Sequence, residues 1–353
     1  MSLRLPAEWE PHQSTWLSWP HNSEDWPGKF ATIPFVYLEI LRHLIRSERV
    51  TLLVPNSRAE ARVRRLISDI SLPLDPITFL SIPTDRSWCR DYGPIFLEET
   101  RGKRKRIVIA GFRFNGWGRY LNYRRDAAVP RRAAHKLSLP LLRCSFRSHP
   151  IVLEGGAIDV NGRGTLLTTE ECLLDRRRQP RNPDFSKTDY RRVFTRFLGA
   201  PNVVWLARGL AGDDTGGHVD QLARFVNPTT ILTLAPESLS GADAEAAAEN
   251  LLRLRSARLE NGRRPTIITV PAPQPIFFRK HRLPASYLNF YIADSVVLVP
   301  TFNDPRDRTA LELIAECFPD REVVGIHSVD LAWGFGSVHC STQQQPAVRG
   351  EAL

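Results

Sequence analysis

The sequence predicts a mixed α/β protein assembled from repeated helix–strand–hairpin modules, and three observations carry that reading. Twenty-seven prolines and 21 glycines punctuate the 353 residues so regularly that helices much beyond about 15 residues are not expected. Hydrophobic residues, 42% of the chain, are spread along its whole length rather than gathered in two blocks, so either two domains or one large repeat-built domain fits. The third observation is a strand, a tight turn and a second strand that recur at near-regular intervals.

The recurrence is clear in four places: Gly93 to Phe114, Gly155 to Thr169 around Asn161-Gly162, Gly217 to Leu234 around Asn227-Pro228, and Leu288 to Phe302 around Ala293-Asp294. In each, an apolar β-branched run flanks a turn-forming pair, which is the hairpin signal. Between the hairpins, Phe35 to Leu44, Ala59 to Ile67, Ala242 to Leu254 and Arg308 to Cys317 place apolar residues three and four apart and are expected to be helices. Short strands are expected at Val50 to Val54, Ile77 to Ile82, Thr266 to Val270 and Glu322 to Ile326. Each module is too small to bury its own apolar face and needs its neighbours. A fifth module is expected from the two ends, Ser14 to Trp19 with Ser337 to Thr342, and would close the set into a ring.

The formal charge of +10 comes almost wholly from arginine, because only six of the 48 basic residues are lysine. The densest basic runs, Arg101 to Arg106, Arg124 to Arg132 and Arg176 to Arg181, carry no interleaved aromatics of the kind that stack bases and no zinc-finger or RNA-binding signature. They read as solvated loops and helix faces, and nucleic acid is not an expected partner. The start of the chain has no positive segment leading into an apolar run, and no stretch approaches the ~18 uninterrupted apolar residues of a membrane helix. A cytoplasmic chain with no membrane partner is expected. The five cysteines, at 89, 144, 172, 317 and 340, show no paired spacing, so free thiols and no metal site are expected.

The chemistry lies at the leading edge of each hairpin. Trp88-Cys89-Arg90-Asp91-Tyr92-Gly93-Pro94 enters the first, Leu153-Glu154-Gly155-Gly156 the second, and Asp213-Asp214-Thr215-Gly216-Gly217-His218-Val219-Asp220 the third, while His339-Cys340 stands at the last edge. Acids and bases sit there beside glycines, which let the backbone turn sharply or approach a ligand. Equivalent edges of a closed ring converge on its axis. Asp91, Glu154 and Asp220 around one pocket would repel one another unless a cation sits among them. A guanidinium fits, because carboxylates grip its paired N–H groups bidentately. A metal is the competing explanation, but a thiol with a histidine and no close ligand spacing suits it poorly.

Cys340 taken alone reads as an inert thiol and His218 as a structural histidine; their acidic company lifts both. An ordinary thiol is mostly protonated at neutral pH, so Cys340 needs His218 as proton acceptor or the positive field of a bound cation. Attack on the guanidinium carbon, loss of ammonia with a proton from His218, and hydrolysis by water deprotonated at His218 then give a ureido product. Glu154 orients His218 or holds a substrate N–H. Asp91 and Asp214 serve equally as turn formers. Trp88 reads as a core aromatic or a wall stacked on the guanidinium, and Trp117, an exposed ring between Gly116 and Gly118, as a loop residue that hints at a substrate lid. A thiol protease would instead need a donor-built oxyanion hole and few acids near the cysteine.

Six motifs in order also carry a resemblance: Ala7-Glu8-Trp9-Glu10-Pro11-His12, Trp88 to Pro94, Phe114-Asn115-Gly116-Trp117-Gly118, Leu153 to Gly156, Gly217-His218-Val219-Asp220, and His339-Cys340-Ser341-Thr342-Gln343-Gln344. Together they resemble the agmatine deiminases and the bacterial-type peptidylarginine deiminases grouped with them, in the guanidino-group-modifying pentein superfamily. The resemblance implies a five-module α/β propeller with the site on its axis, as one domain over residues 1–353. It implies Cys340 as nucleophile, His218 as general acid/base, Glu154 assisting it, Asp91 and Asp220 gripping the guanidinium, and no metal or organic cofactor. Trp88, Asp214 and Trp117 complete the expected substrate-binding set. The expected reaction is hydrolysis of agmatine to N-carbamoylputrescine and ammonia. The alternatives are deimination of an arginyl peptide or another guanidino compound and, further off, guanidino-ligand or nucleic-acid binding without catalysis. A homodimer is compatible with this reading. Gly216, Trp333-Gly334-Phe335-Gly336 and Cys89 depart from the family pattern beside the pocket and bear on substrate choice.

Overall fold

The computed structural model describes residues 2–348; residue 1 and residues 349–353 of the expected 1–353 unit lie outside it. Among the described residues are five sheets of three or four strands, and all five repeat one plan. An antiparallel pair is followed by a helical crossover to a parallel strand. The first sheet pairs Ile95–Arg101 with Arg104–Gly111 and then, in parallel, Leu141–Arg143, with Ser2–Arg4 added on the outside. The second holds Asp159–Val160, Thr165–Thr169 and Asn202–Leu206; the third Ala223–Asn227, Thr230–Leu234 and Thr266–Val270; the fourth Tyr291–Ile292, Val296–Thr301 and Glu322–His327. The fifth joins the two ends of the chain. There Thr342–Pro346 pairs antiparallel with His12–Ser18, with Trp16 opposite Gln343, before Val50–Val54 and Ile77–Ser81 continue in parallel.

Local chemistry explains the turns and caps. The Asn161 side chain accepts from the N–H groups of Arg163 and Thr165, both at 3.0 Å, and Asn227 does the same for Thr229 and Thr230, so each hairpin turn is folded by its own asparagine. Asn56 caps Ser57–Asp69 by accepting from Ala59 at 2.9 Å. The crossover helices of the fourth and fifth sheets, Asp307–Cys317 and Ile33–Leu44, and that of the third, Gly241–Ser256, lie where the apolar spacing predicts them. Two further crossover helices, Val129–Leu137 and Lys187–Val193, fall in arginine-rich stretches whose charge masks the apolar stripe.

Strand alternation carries apolar residues to both faces of a sheet. Ile95 and Leu97 enter a core cluster between the first and second sheets, while Phe96 between them faces the larger cluster that runs through the remaining sheets. This is how modules without a core of their own bury both faces.

The two ends meet where expected, with Ser14 to Ser18 in one strand and Leu17 opposite Thr342 at the start of its partner, while Val338–Ser341 just before it is a single helical turn. Among the described residues no helix is long and apolar enough to cross a membrane.

Candidate active site

Each leading edge is a tight turn placed just before the first strand of its hairpin. Cys89–Tyr92 carries Asp91, Glu154 precedes Gly155–Ala157, and His218 and Asp220 flank Val219 at the start of Val219–Gln221. The turn closed by Asn289 N–H on Ser286 C=O serves the fourth sheet, and Val338–Ser341 presents His339 and Cys340 for the fifth. The turns of the fifth and first sheets, the first and second, and the second and third pack on one another. The chemical groups are thereby gathered at one place, and all of them are buried.

A cavity of about 290 Å³ leads to them. Of its lining residues, Cys340, Asp91, Asp25, Trp88, Trp117 and Trp333 are buried, Phe335, Arg86, Tyr120 and Asp214 are half-buried, and Glu24 and His281 are exposed. The glycines of the approach to Cys340 make room for one wall. A Cβ on Gly336 would stand 2.5 Å from the Trp88 ring, and one on Gly334 would meet both Trp26 and Trp88. Trp88 is at once a wall and a core residue, packed against Trp26 with ring centroids 5.2 Å apart and the planes tilted by 52°.

Asp91 is fixed from two sides. Trp117 Nε1–H donates to its Oδ2 at 2.9 Å and Gly156 N–H to its Oδ1 at 3.1 Å. Burial pushes its carboxyl up to about 6, against the His218 imidazole and with the help of Asp220 and Glu154. Gly156 is obligatory at this contact, since a Cβ there would lie 2.6 Å from His218 Nδ1 and 2.7 Å from Asp91 Oδ1.

His218 Nδ1 lies 3.6 Å from Asp91 Oδ1. Burial opposes its positive charge, but Asp91, Cys172 and Asp220 outweigh burial and lift the imidazole to about 10. The ring is therefore protonated near neutrality. Neither ring nitrogen has a hydrogen-bond partner among the described residues.

Asp220 is held differently. Burial alone would raise its carboxyl, yet His339, His218 and Arg224 bring it below the ordinary range. His339 bridges two carboxylates, with Nδ1 2.8 Å from Asp220 Oδ2 and Nε2 2.9 Å from Glu8 Oε2. Glu8 in turn accepts from Arg90 at 3.0 Å and from Arg224 at 2.8 Å. Asp220 Oδ1 is left without a partner among the described residues. Buried polar atoms are nearly always hydrogen-bonded, so this one marks where a ligand donor fits.

The Cys340 thiol receives the Asn289 Nδ2–H at 3.3 Å and lies 3.8 Å from Asp220 Oδ2. Burial, with Asp220 and Asp91 adding to it, pushes its titration well above the ordinary thiol range. Asn289 also accepts from the His339 N–H at 3.1 Å. It occupies the leading edge of the fourth hairpin, so applying the edge rule to that hairpin would have found it.

Two side chains differ from their sequence expectation. Arg181 is not a solvated end of a basic run: it is buried, and its Nε–H donates to Glu154 Oε1 at 2.9 Å while its other nitrogens reach Gln179 C=O and Thr215 C=O. Trp117 is not an exposed lid residue; it is 4% exposed, held with φ +57° between two left-handed glycines and anchored on Asp91. The Cys172 sulfur, a Glu154 oxygen and a His218 nitrogen lie within 4.8 Å of one another. Asp214 lines the cavity with its carboxylate already engaged by Tyr120 and Arg119, whereas its neighbour Asp213 is the turn former, accepting from Gly217 and His218 N–H groups.

Comparison with known proteins agrees with this architecture. The family profile described as Porphyromonas-type peptidyl-arginine deiminase matches residues 4–346. An agmatine deiminase of Medicago truncatula is 34% identical, covering 98% of this chain and 97% of its own, and one of Pseudomonas aeruginosa strain LESB58 is 32% identical over 98% and 96%. The solved structure of the Enterococcus faecalis agmatine deiminase superposes with a TM-score of 0.86 at 28% identity, covering 98% of this chain and 96% of that one. The matched span encloses every turn that contributes to the site, and the chain belongs to the Porphyromonas-type peptidyl-arginine deiminase family.

Proposed function

We propose that the protein hydrolyses agmatine to N-carbamoylputrescine and ammonia, with Cys340 as nucleophile and His218 as proton carrier. The observation that carries the substrate is the distribution of charge along the cavity. Asp91 stands among the buried lining residues and Glu24 among the exposed ones, while Asp25 and Asp214 are paired with Arg86 at 2.7 Å and Arg119 at 3.1 Å, and Arg86 is the one arginine among the lining residues. A molecule with a guanidinium at one end and an ammonium at the other meets a carboxylate at each. The net charge of +10 repels such a dication only at long range, since salt screens beyond about 8 Å.

In this reading the guanidinium lies between Asp91 and the free Oδ1 of Asp220. Its charge offsets the carboxylates that hold the proton on Cys340, and the thiol proton leaves toward Asp220 Oδ2. The thiolate forms an S–C bond to the guanidinium carbon. Protonated His218 then gives its proton to one amino group, the C–N bond breaks, and ammonia leaves an amidino-thioether on Cys340. Neutral His218 takes a proton from water, whose hydroxide attacks the same carbon; cleavage of the S–C bond then frees the ureido product, whose excess proton passes to the departed ammonia, and Asp220 returns its proton to the thiolate. Glu154, gripped by Arg181, holds the environment of His218, while Trp88 and Trp117 flank the planar group. No step calls for a metal or organic cofactor.

The five sheets, their shared plan and the packing of successive edges support reading them as blades of one pentein propeller and residues 1–353 as one catalytic domain. The family description favours a second reading, an arginyl peptide as substrate. Ammonia release measured side by side from agmatine, free arginine and a blocked arginyl peptide separates the two. Turnover of agmatine is expected, and turnover of the peptide alone would overturn the assignment.

A further inference from the structure

The proposed reaction uses Glu154 and His218 but leaves Cys172 with nothing to do, although one donor atom from each of these three buried residues lies within 4.8 Å of the others. The cluster is prearranged. Thr169 caps the helix Glu170–Leu174 and accepts the Cys172 N–H at 3.1 Å, which fixes the backbone that carries the thiol. Arg181 occupies Glu154 Oε1 and leaves Oε2 without a partner, and both His218 ring nitrogens are likewise unpartnered among the described residues.

A thiol, an imidazole and a carboxylate form a donor set suited to zinc, whereas magnesium and calcium take oxygen ligands. Metal–ligand distances of about 2.0–2.3 Å put tetrahedral donors roughly 3.3–3.8 Å apart, so side-chain shifts of about 1 Å would close the three atoms on an ion. The charges also suit it. One thiolate and one carboxylate cancel the dication, and the Arg181 guanidinium beside them faces no added positive charge.

We propose that Glu154, Cys172 and His218 form a binding site for a thiophilic divalent cation, Zn²⁺ or its analogue Cd²⁺, whose occupancy stops turnover by withdrawing His218 from proton transfer. On binding, the thiol and the imidazolium each release a proton to solvent, and no electron is transferred. The inhibitory consequence rests on His218 acting as the proposed proton carrier; the binding itself does not.

The test therefore reads binding and activity separately. Chelator-treated full-length protein in a Cys317→Ala background, which removes the one partly exposed thiol, is titrated with Cd²⁺ while the thiolate-to-metal charge-transfer absorbance is followed. Zn²⁺ binding is measured by calorimetry. Cys340→Ala is expected to keep a one-equivalent signal, and both Cys172→Ala and the near-isosteric Cys172→Ser are expected to lose it and to weaken Zn²⁺ binding at least tenfold, with folding checked by circular dichroism. The ratio of ammonia release with and without Zn²⁺ should rise toward one in the Cys172 variants. A signal that survives in the Cys172 variants and vanishes in Cys340→Ala, or no stoichiometric binding at all, overturns the site. Binding through Cys172 without inhibition would retain the site and count against His218 as proton carrier.

Discussion

Arg181 and Glu154 form an ion pair in which neither side chain is exposed, with Nε 2.9 Å from Oε1. The guanidinium spends its remaining donors on backbone carbonyls of Gln179 and Thr215, so it ties the second hairpin edge to the loop that leads to His218. Removing one partner of such a pair leaves a buried charge alone, at about 3–5 kcal/mol. Arg181→Met should lower the unfolding free energy by that amount in urea denaturation. Arg181→Lys should lose less stability but still reduce kcat, because a single ammonium cannot span the three acceptors.

His339 stands between Asp220 and Glu8 and does not line the cavity that leads to Cys340. Replacing it with Asn or Ala removes a hydrogen bond from the carboxylate proposed to grip the guanidinium. A bond to a charged group is worth about 1.5–3 kcal/mol, which corresponds to a fall in kcat/KM of roughly 10- to 150-fold. Steady-state kinetics with agmatine checks this, and an unchanged kcat/KM would remove His339 from the positioning network.

Gly156→Ala drives a methyl group into His218 and Asp91. A displacement near 1 Å can cost about 100-fold in rate, so kcat should fall by that order. Far-ultraviolet circular dichroism should show the fold retained, because the nearest atoms belong to the side chains of His218, Asp91 and Asp220 rather than to backbone.

The pH profile follows from two buried acids. Burial lifts Asp91 to about 6 and, outweighing Arg86 and aided by Glu24, lifts Asp25 to about 7. Each is neutral below its value and pairs with a cation only above it, so kcat/KM for agmatine should climb through both. Asp25→Asn should remove the upper step. For stability the sign is reversed: a folded carboxyl that holds its proton more tightly than the unfolded one favours folding at low pH, and that contribution is lost as pH rises through about 6 and 7.

The edges of the hairpins were legible because the signals are local. Asn161-Gly162 and Asn227-Pro228 fold their own turns, and glycine beside Glu154 and His218 announces a close approach. The partners of those edge residues were not legible. Arg181 with Glu154, His339 with Glu8 and Asn289 with Cys340 are separated widely in sequence and meet only because the turns converge. Charge misled at Arg181, where a basic run ends in a fully buried guanidinium. Length misled at Val338–Ser341, since a single turn has no periodicity to distinguish it from the strand that follows. Cys172 carries no local signal, because its company comes from the leading edge of its own module, Glu154, and from the next module, His218.

The central claim is that Cys340 attacks the guanidinium carbon, and it is tested most directly by acid-quenching the enzyme during agmatine turnover and mapping modified peptides by mass spectrometry. The account predicts an adduct of agmatine less ammonia on the peptide containing Cys340, absent in Cys340→Ser. The same adduct on Cys89 or Cys172, or undiminished turnover by Cys340→Ser, would contradict it.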